Sequence, residues 1–159
     1  MKLDLKEIYI TYSDKIFRYL YWHVGDVYVA EDLTSEVFLR VFKNLGKFKD
    51  GYVQAWIYRI AKNLLIDHYR GKKTRSLEFA EEIAVDDDLI EKLAKDENAK
   101  HLKKAVAKLP ENLREVVILR FFEEMSAAQV AEVMNLSEGN VRVLQFRGLK
   151  KLKEELNEQ

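Results

Sequence analysis

Apolar residues recur at intervals of three and four along most of the chain, and alternation of apolar and polar residues does not persist anywhere in it. Such spacing is typical of amphipathic helices, whereas a half-buried strand needs a period of two. It predicts helices at about residues 4–24, 27–45 and 52–73, and further helices at about 99–109 and 111–124. We therefore expect an all-α fold.

The segment 126–145 is predicted to form two more helices joined by a tight turn. Ser126 and Ser137 are each placed to cap a helix, because a serine hydroxyl there accepts a hydrogen bond from an amide of the first turn. The apolar positions expected to close the two helices on each other are Val130, Val133, Met134, Leu136, Val141, Leu144, Leu149, Leu152 and Leu156. A helix-turn-helix of this kind docks its second helix in the major groove of DNA.

The outward face of that second helix is basic, since residues 138–153 contain five basic residues and one acidic residue. In a major groove, the first residues of such a helix reach base edges and later cations neutralise phosphates. The residues that we expect to contact DNA are Ser137, Glu138, Asn140, Arg142, Val143, Phe146, Arg147, Lys150 and Lys151. Taken alone, the segment also fits an ordinary helical hairpin with a solvated charged face.

The net charge of the chain is zero, but the charge is distributed unevenly. Residues 1–75 contain 14 basic and 9 acidic residues, residues 76–98 contain 2 and 9, and residues 99–159 contain 11 and 9. Two basic parts separated by an acidic connector indicate two small helical domains joined by a linker. We expect a three-helix N-terminal bundle and a four-helix C-terminal domain.

The composition disfavours secretion and membrane insertion. None of the 159 residues is cysteine, which excludes disulfides and thiolate sites and fits a reducing compartment. The opening residues carry no secretion signal, and the longest apolar runs are far shorter than the ~20 residues of a membrane span. We expect a cytoplasmic protein that does not insert into a membrane.

Catalysis and cofactor binding are also disfavoured. The acidic run at residues 86–88 and the histidines His23, His68 and His101 are the candidate metal-binding or acid–base groups, but none has a partner at useful spacing. No glycine-rich phosphate loop or serine nucleophile signature is present. We therefore expect no catalytic residues, no metal site and no cofactor.

The third predicted helix combines aromatic and basic residues. Residues 59–75 contain six basic residues and one acidic residue, with Tyr69 among them. Because rings stack on unpaired bases while cations follow the phosphates, this combination favours single-stranded or opened DNA. Trp56 belongs to the apolar side of the same helix, and it fits either a core position or a stacking platform.

The second predicted helix has an apolar side and a charged side. The residues expected to face inward are Val37, Phe38, Val41, Phe42 and Leu45. Leu39 falls on the other side among charges of both signs, where it is either a solvated leucine or an anchor for a partner protein.

Four segments together resemble the bacterial sigma factors of the extracytoplasmic-function group. They are residues 32–42 (DLTSEVFLRVF), residues 55–70 (AWIYRIAKNLLIDHYR), residues 109–123 (LPE through LRFFE) and the helix-turn-helix at 126–145. The resemblance covers nearly the whole chain in order, spacing and length. It implies a promoter-recognition subunit of RNA polymerase with two helical domains.

The resemblance gives each part of the chain a role. It implies that residues 1–75 bind core polymerase and recognise and open the minus-ten element, and that residues 99–159 recognise the minus-thirty-five element. The residues implied for the minus-ten element are Lys47, Lys49, Tyr52, Trp56, Arg59, Lys62, Asn63, Tyr69, Arg70 and Lys73. Those implied for the clamp helices of the polymerase large subunit are Asp32, Leu33, Glu36, Leu39, Arg40 and Lys43. The implied partners are core RNA polymerase and promoter DNA, both duplex and opened, and the resemblance allows an anti-sigma protein as well.

The chain departs from the family pattern after the turn of the helix-turn-helix. Val143 and Leu144 stand where the family commonly has a small polar residue and an arginine, and Phe146 stands in place of a histidine. The residues that read bases are therefore left open. Two other functions fit the residues alone: a dimeric regulator that binds duplex DNA unaided, and a helical adaptor that binds no nucleic acid.

Overall fold

A computed structural model describes residues 4–49, 51–72 and 97–157. These residues form seven α-helices, and no strand occurs among them. The helices are α1 (Leu5–Val24), α2 (Val27–Asn44), α3 (Val53–Lys72), α4 (Glu97–Ala107), α5 (Glu111–Val117), α6 (Ala127–Met134) and α7 (Glu138–Asn157). The all-α prediction is confirmed. The predicted linker at 76–98 lies outside the described residues except for its last two.

Helices α1 to α3 form the first of two helical units. Gly25, in the left-handed conformation with φ 69°, ends α1, and its amide donates to the carbonyl of Tyr21. Asp26 then caps α2 by accepting from the amides of Tyr28 at 2.8 Å and Val29 at 3.1 Å. A glycine that ends one helix directly before an aspartate that caps the next produces a turn of minimal length.

The core of the first unit is apolar and aromatic. Ile16, Leu20, Val37 and Ile57 are fully buried, and Tyr19 and Tyr58 meet edge to face with ring centroids 5.1 Å apart. The core lines the inner faces of three helices, so the outer faces of α2 and α3 are left for other contacts. The buried residues that belong to the predicted inward stripe of α2 are Val37, Phe38 and Val41.

One inward prediction for α2 was wrong. Phe42 is 40% exposed, although it follows Phe38 by one turn. Phe42 lies in the last turn of the helix, and its ring covers that of Phe38 from outside at 6.3 Å between centroids. Side chains at i and i+4 touch along one face of a helix, but periodicity does not tell where the core beneath that face ends.

The second unit contains α4, α5 and α7, together with α6 as far as Ala131. Pro110 precedes α5, which continues as a wider π-helical turn over Ile118–Phe122. Both α4 and α5 contact α7. The core is built from Val106, Val116, Ile118 and Leu119 together with residues of the last two helices. Helices α4 and α5 thus hold α7 by one side.

The buried side of α7 agrees with the predicted stripe only in part, since Leu144 and Leu156 are half-buried. Val141, Gly148 and Leu152 are buried, whereas Leu149 is 40% exposed. A Cβ at Gly148 would lie 2.8 Å from Cγ2 of Val117, so α7 approaches α5 most closely at the glycine. Leu149 was expected to be buried because a glycine does not register in an apolar pattern. In the structure Gly148 is the residue that contacts α5, and Leu149 lies beside this contact.

Candidate nucleic-acid interface

Helices α6 and α7 form the predicted helix-turn-helix. Ser126 and Gln129 cap α6 reciprocally, since the Gln129 amide donates to the Ser126 hydroxyl and the Ser126 amide donates to the Gln129 side chain, each at 3.1 Å. The Ser137 hydroxyl accepts from the amide of Asn140 at 3.1 Å at the start of α7. Both serine caps are confirmed, and such a cap stabilises its helix by about 1 kcal/mol.

The turn between these helices depends on Asn135. This residue ends α6 in the left-handed conformation, with φ 56° and ψ 50°, and its amide donates to the carbonyl of Ala131. Asparagine tolerates this conformation better than most residues because its short polar side chain can hydrogen-bond locally. The reversal of the chain therefore needs only three residues before α7 begins.

All nine residues predicted to contact DNA through this part of the chain are exposed. Arg142, Arg147, Lys150 and Lys151 supply the cations of the outward face. Arg142 also forms an ion pair with Glu138 at 3.2 Å, with both side chains at least half exposed. A surface pair of this kind contributes little, about 0–1 kcal/mol, so the arginine can exchange its carboxylate for a phosphate at small cost.

Two residues that hold α7 in place were missed by the sequence analysis. Arg120 donates from Nε to the side-chain oxygen of Gln145 at 2.9 Å and from Nη1 to the carbonyl of Met125 at 2.6 Å. One guanidinium thus joins the end of α5, the chain before α6 and the middle of α7. The sequence signal that could have identified Arg120 is its position inside the apolar run ILRFF, because an arginine there is expected to be partly buried and hydrogen-bonded.

In the first unit, an aromatic and basic surface surrounds the start of α3. The rings of Phe48 and Trp56 lie with centroids 5.3 Å apart and planes tilted by 40°. Trp56 is half-buried, which is intermediate between the core position and the open platform that its sequence allowed. The predicted residues that lie around it are Lys47, Lys49, Tyr52 and Arg59.

Further along α3, the predicted residues separate into two groups. Arg59, Asn63 and Arg70 are exposed and follow Trp56 at intervals that keep them on one face. Lys62 is half-buried beside that face. Tyr69 donates its hydroxyl to the carbonyl of His23 at 2.8 Å, which ties the end of α3 to α1. Lys73 lies outside the described residues.

The surface predicted to bind polymerase lies on the outer side of α2. Asp32, Glu36, Arg40 and Lys43 are exposed, and Leu39 is 50% exposed among them. Leu33 does not belong to this surface, because its side chain is 9% exposed and is part of the core. The position of Leu33 in the helix, four residues before Val37, explains its burial.

The described residues show no features of a metal site or of a membrane span. No three of their histidine and carboxylate side chains are grouped so that they could hold an ion. None of the helices formed by these residues combines the length and the apolar character needed to cross a bilayer.

Two family models match the chain. Sigma-70 region 2 matches residues 8–75, which include all of α2 and α3, and sigma-70 region 4 matches residues 100–152, which include the helix-turn-helix. The fold and the two matches define a sigma factor, a subunit that binds core RNA polymerase and directs it to promoter DNA.

Curated relatives identify the group within the sigma factors. The ECF RNA polymerase sigma factor BldN of Streptomyces coelicolor is 36% identical in an alignment of 152 positions that covers 91% of this chain and 57% of that protein. The ECF RNA polymerase sigma factor SigW of Bacillus subtilis is 31% identical in an alignment of 165 positions that covers 96% of this chain and 88% of that protein. The chain thus spans little more than half the length of the first relative and most of the second. It belongs to the extracytoplasmic-function sigma factors.

Solved structures show the same fold. The sigma factor RpoE in complex with the anti-sigma factor NepR from Bartonella quintana matches with a TM-score of 0.78 at 19% identity, over 97% of both chains. CnrH in complex with the cytosolic domain of CnrY matches with a TM-score of 0.76 at 20% identity, over 98% of this chain and 88% of that one.

Proposed function

We propose that the two helical units take separate parts of one promoter, and that the chain acts in the cytoplasm as a polymerase subunit with no catalytic activity of its own. Helix α7 binds the upstream promoter element as duplex DNA. Helix α3, together with the loop before it, binds the opened strand of the downstream element. The observation that carries this proposal is that both basic helices carry exposed cations, Arg70 on α3 and Arg147 and Lys150 on α7. Exposed cations on a helix face are suited to a phosphate backbone.

For the upstream element, α7 combines base-reading and phosphate-binding positions. Asn140 and Arg142 lie in its first two turns, where a helix in the major groove reaches base edges. Lys150 and Lys151 lie three turns further on and are exposed. We therefore assign base contacts to the beginning of α7 and phosphate contacts to the later cations.

Binding of the opened strand requires no catalytic residue. An unpaired base costs a few kcal/mol to remove from the stack, and stacking on an aromatic ring returns about 1–3 kcal/mol. Trp56 and Phe48 supply the rings, and Arg59, Lys47 and Lys49 supply the cations around them. The surface can hold a base that has already left the duplex.

The outer side of α2 is proposed to bind the clamp helices of the polymerase large subunit. Leu39 is the apolar centre, and exposed Asp32, Glu36, Arg40 and Lys43 surround it with charges of both signs. An apolar anchor inside a polar rim is the usual arrangement of a protein interface. An anti-sigma protein that covers this surface or α7 is the form of control that we propose.

Run-off transcription with core polymerase and a library of promoters tests the proposed function. We expect specific initiation that requires both the core enzyme and this chain. Leu39→Asp should abolish binding to core polymerase, whereas Ile10→Asp, at an apolar residue of α1 that is 66% exposed, should leave it intact. Tight binding of duplex DNA by the chain without core polymerase would instead support an ordinary regulator.

Trp56 can be tested with the assembled holoenzyme and a single-stranded minus-ten oligonucleotide. Trp56→Ala should weaken binding by the loss of one stacked base, about 1–3 kcal/mol, whereas Trp56→Phe should retain most of it because a ring remains. Equal binding by all three forms would contradict the stacking role of Trp56. Binding of an isolated upstream duplex to the holoenzyme serves as the control and should not change.

A further inference from the structure

The exposed face of α7 contains two large apolar side chains among its cations. Phe146 is 72% exposed and Val143 is 48% exposed. They are separated by three positions, so they neighbour each other on one side of the helix. Phe146 is the most exposed of the large apolar side chains among the described residues. Neither side chain contributes to the core that holds α7.

A basic surface around an apolar pair restricts what can cover it. Arg142, Arg147 and Lys150 are exposed beside Val143 and Phe146, and Glu138 is the one acid within the first three turns of the helix. A protein partner with an apolar patch would have to desolvate these cations. Duplex DNA neutralises them with phosphates, and its major groove contains one apolar group, the 5-methyl of thymine.

We infer that Val143 and Phe146 are specificity residues that contact thymine 5-methyl groups in the upstream promoter element. This inference rests on the proposed function, in which α7 enters the major groove of that element. The bases read at these positions are then A·T pairs, with the thymine oriented toward α7. A small polar residue or a histidine, which the family commonly has at these two positions, would instead offer hydrogen-bonding groups to a base edge.

Replacing thymine by deoxyuracil tests this inference, because it removes the methyl group and retains every hydrogen-bonding group of the base. The upstream element is first selected with holoenzyme from a duplex library, and each dT of the selected element is then changed to dU. Removing a buried methyl group should weaken binding of the holoenzyme by about fourfold at each contacted position. Positions that α7 does not contact should show no change.

Variants connect the methyl effect to the two side chains. Phe146→Ala holoenzyme should bind dT and dU duplexes equally at one of the sensitive positions, and Val143→Ala should do so at another. Lys151→Ala is the matched control on the same helix, and it should weaken dT and dU duplexes by the same factor while lowering the dependence on salt. The exposure of all three residues keeps the fold unaffected by these changes.

Three results would overturn the inference. They are a selected element made of G·C pairs only, equal binding of dT and dU duplexes by unmodified holoenzyme, and a dU effect that persists unchanged in both Phe146→Ala and Val143→Ala. In each case promoter-specific transcription by the holoenzyme would still uphold the proposed function. Failure of the holoenzyme to select any upstream element would overturn both.

Discussion

Gly148 provides the sharpest test of how α7 is positioned. In Gly148→Ala the new Cβ would lie 2.8 Å from Cγ2 of Val117, and 3.4 Å from the carbonyl oxygen of Leu113. Val117 is 1% exposed and β-branched, so it has few ways to move aside. Overpacking of this kind costs about 1–3 kcal/mol, whereas replacing glycine by alanine in a helix gains about 1 kcal/mol. We expect a net loss of up to about 2 kcal/mol.

Removing the side chain that obstructs the new Cβ, that of Val117, should reverse the effect of Gly148→Ala on stability. In a Val117→Ala background the obstructing methyl group is gone, so Gly148→Ala should there stabilise the unit by about 1 kcal/mol through helix propensity alone. The difference between the two backgrounds is a coupling energy, which residues in contact show and distant residues do not. Gly139→Ala is the control, since a Cβ at Gly139 has only the Ser137 hydroxyl within 4 Å, at 3.9 Å.

Amide hydrogen exchange measured by mass spectrometry reports on the second unit within the intact chain. Peptides from α5 and α7 should exchange faster in Gly148→Ala, by about tenfold for each 1.4 kcal/mol lost, and peptides from α1 to α3 should be unaffected. Stabilisation by Gly148→Ala with Val117 present would refute the close approach of the two helices. Promoter binding by the holoenzyme should weaken in the same variant, because α7 can no longer rest on α5.

Three further changes test other contacts of the two units. Arg120→Met should destabilise the second unit by about 1–3 kcal/mol, since two hydrogen bonds are lost, and thermal unfolding followed by circular dichroism measures this; an unchanged midpoint would refute the bracing role. Tyr69→Phe should cost about 1 kcal/mol through the loss of its bond to the His23 carbonyl and leave opened-strand binding intact; lost binding with unchanged stability would show a direct DNA contact instead. Asn135→Ala should cost roughly 1 kcal/mol because alanine is strained in the left-handed conformation, and chemical denaturation would show no change if the turn were relaxed.

The helices could be predicted from sequence because local signals and the core agree. Ser126 and Ser137 mark helix starts through their own side chains, and Gly25 followed by Asp26 marks a helix boundary in the same way. These signals require no knowledge of the tertiary fold. Helix bounds were therefore predicted to within a few residues.

Contacts between helices could not be predicted in the same way. Leu33 was placed on the outer surface by the family resemblance but is buried, and Phe42 and Leu149 satisfy the spacing of a core but are exposed. Gly148 determines the burial of α7 without any side chain of its own. Tertiary packing determines which turn of a helix contacts the neighbouring helix. The apolar pattern of a single helix does not contain that information.

The roles of the site residues depend on these same contacts. The sequence identified nine candidate DNA contacts in the helix-turn-helix, and the structure shows all nine exposed. It did not identify Arg120 or Gln145, because a hydrogen bond between residues 25 positions apart has no local pattern. The sequence thus predicts candidate DNA contacts, which are exposed in the structure, whereas the residues that orient them leave no local pattern in the sequence.

Because α7 is long, a small tilt of its axis displaces its first turn by a large distance. The buried Leu152 lies ~20 Å along the helix axis from the first turn, so a tilt of ~5° about that point would displace the leading end by roughly 2 Å. Hydrogen bonds to base edges tolerate only a few tenths of an ångström. A helix held only at Leu152 would therefore position its first turn too loosely for such bonds. The buried Val141 in the first turn and the hydrogen bond of Gln145 in the middle of α7 restrict this tilt.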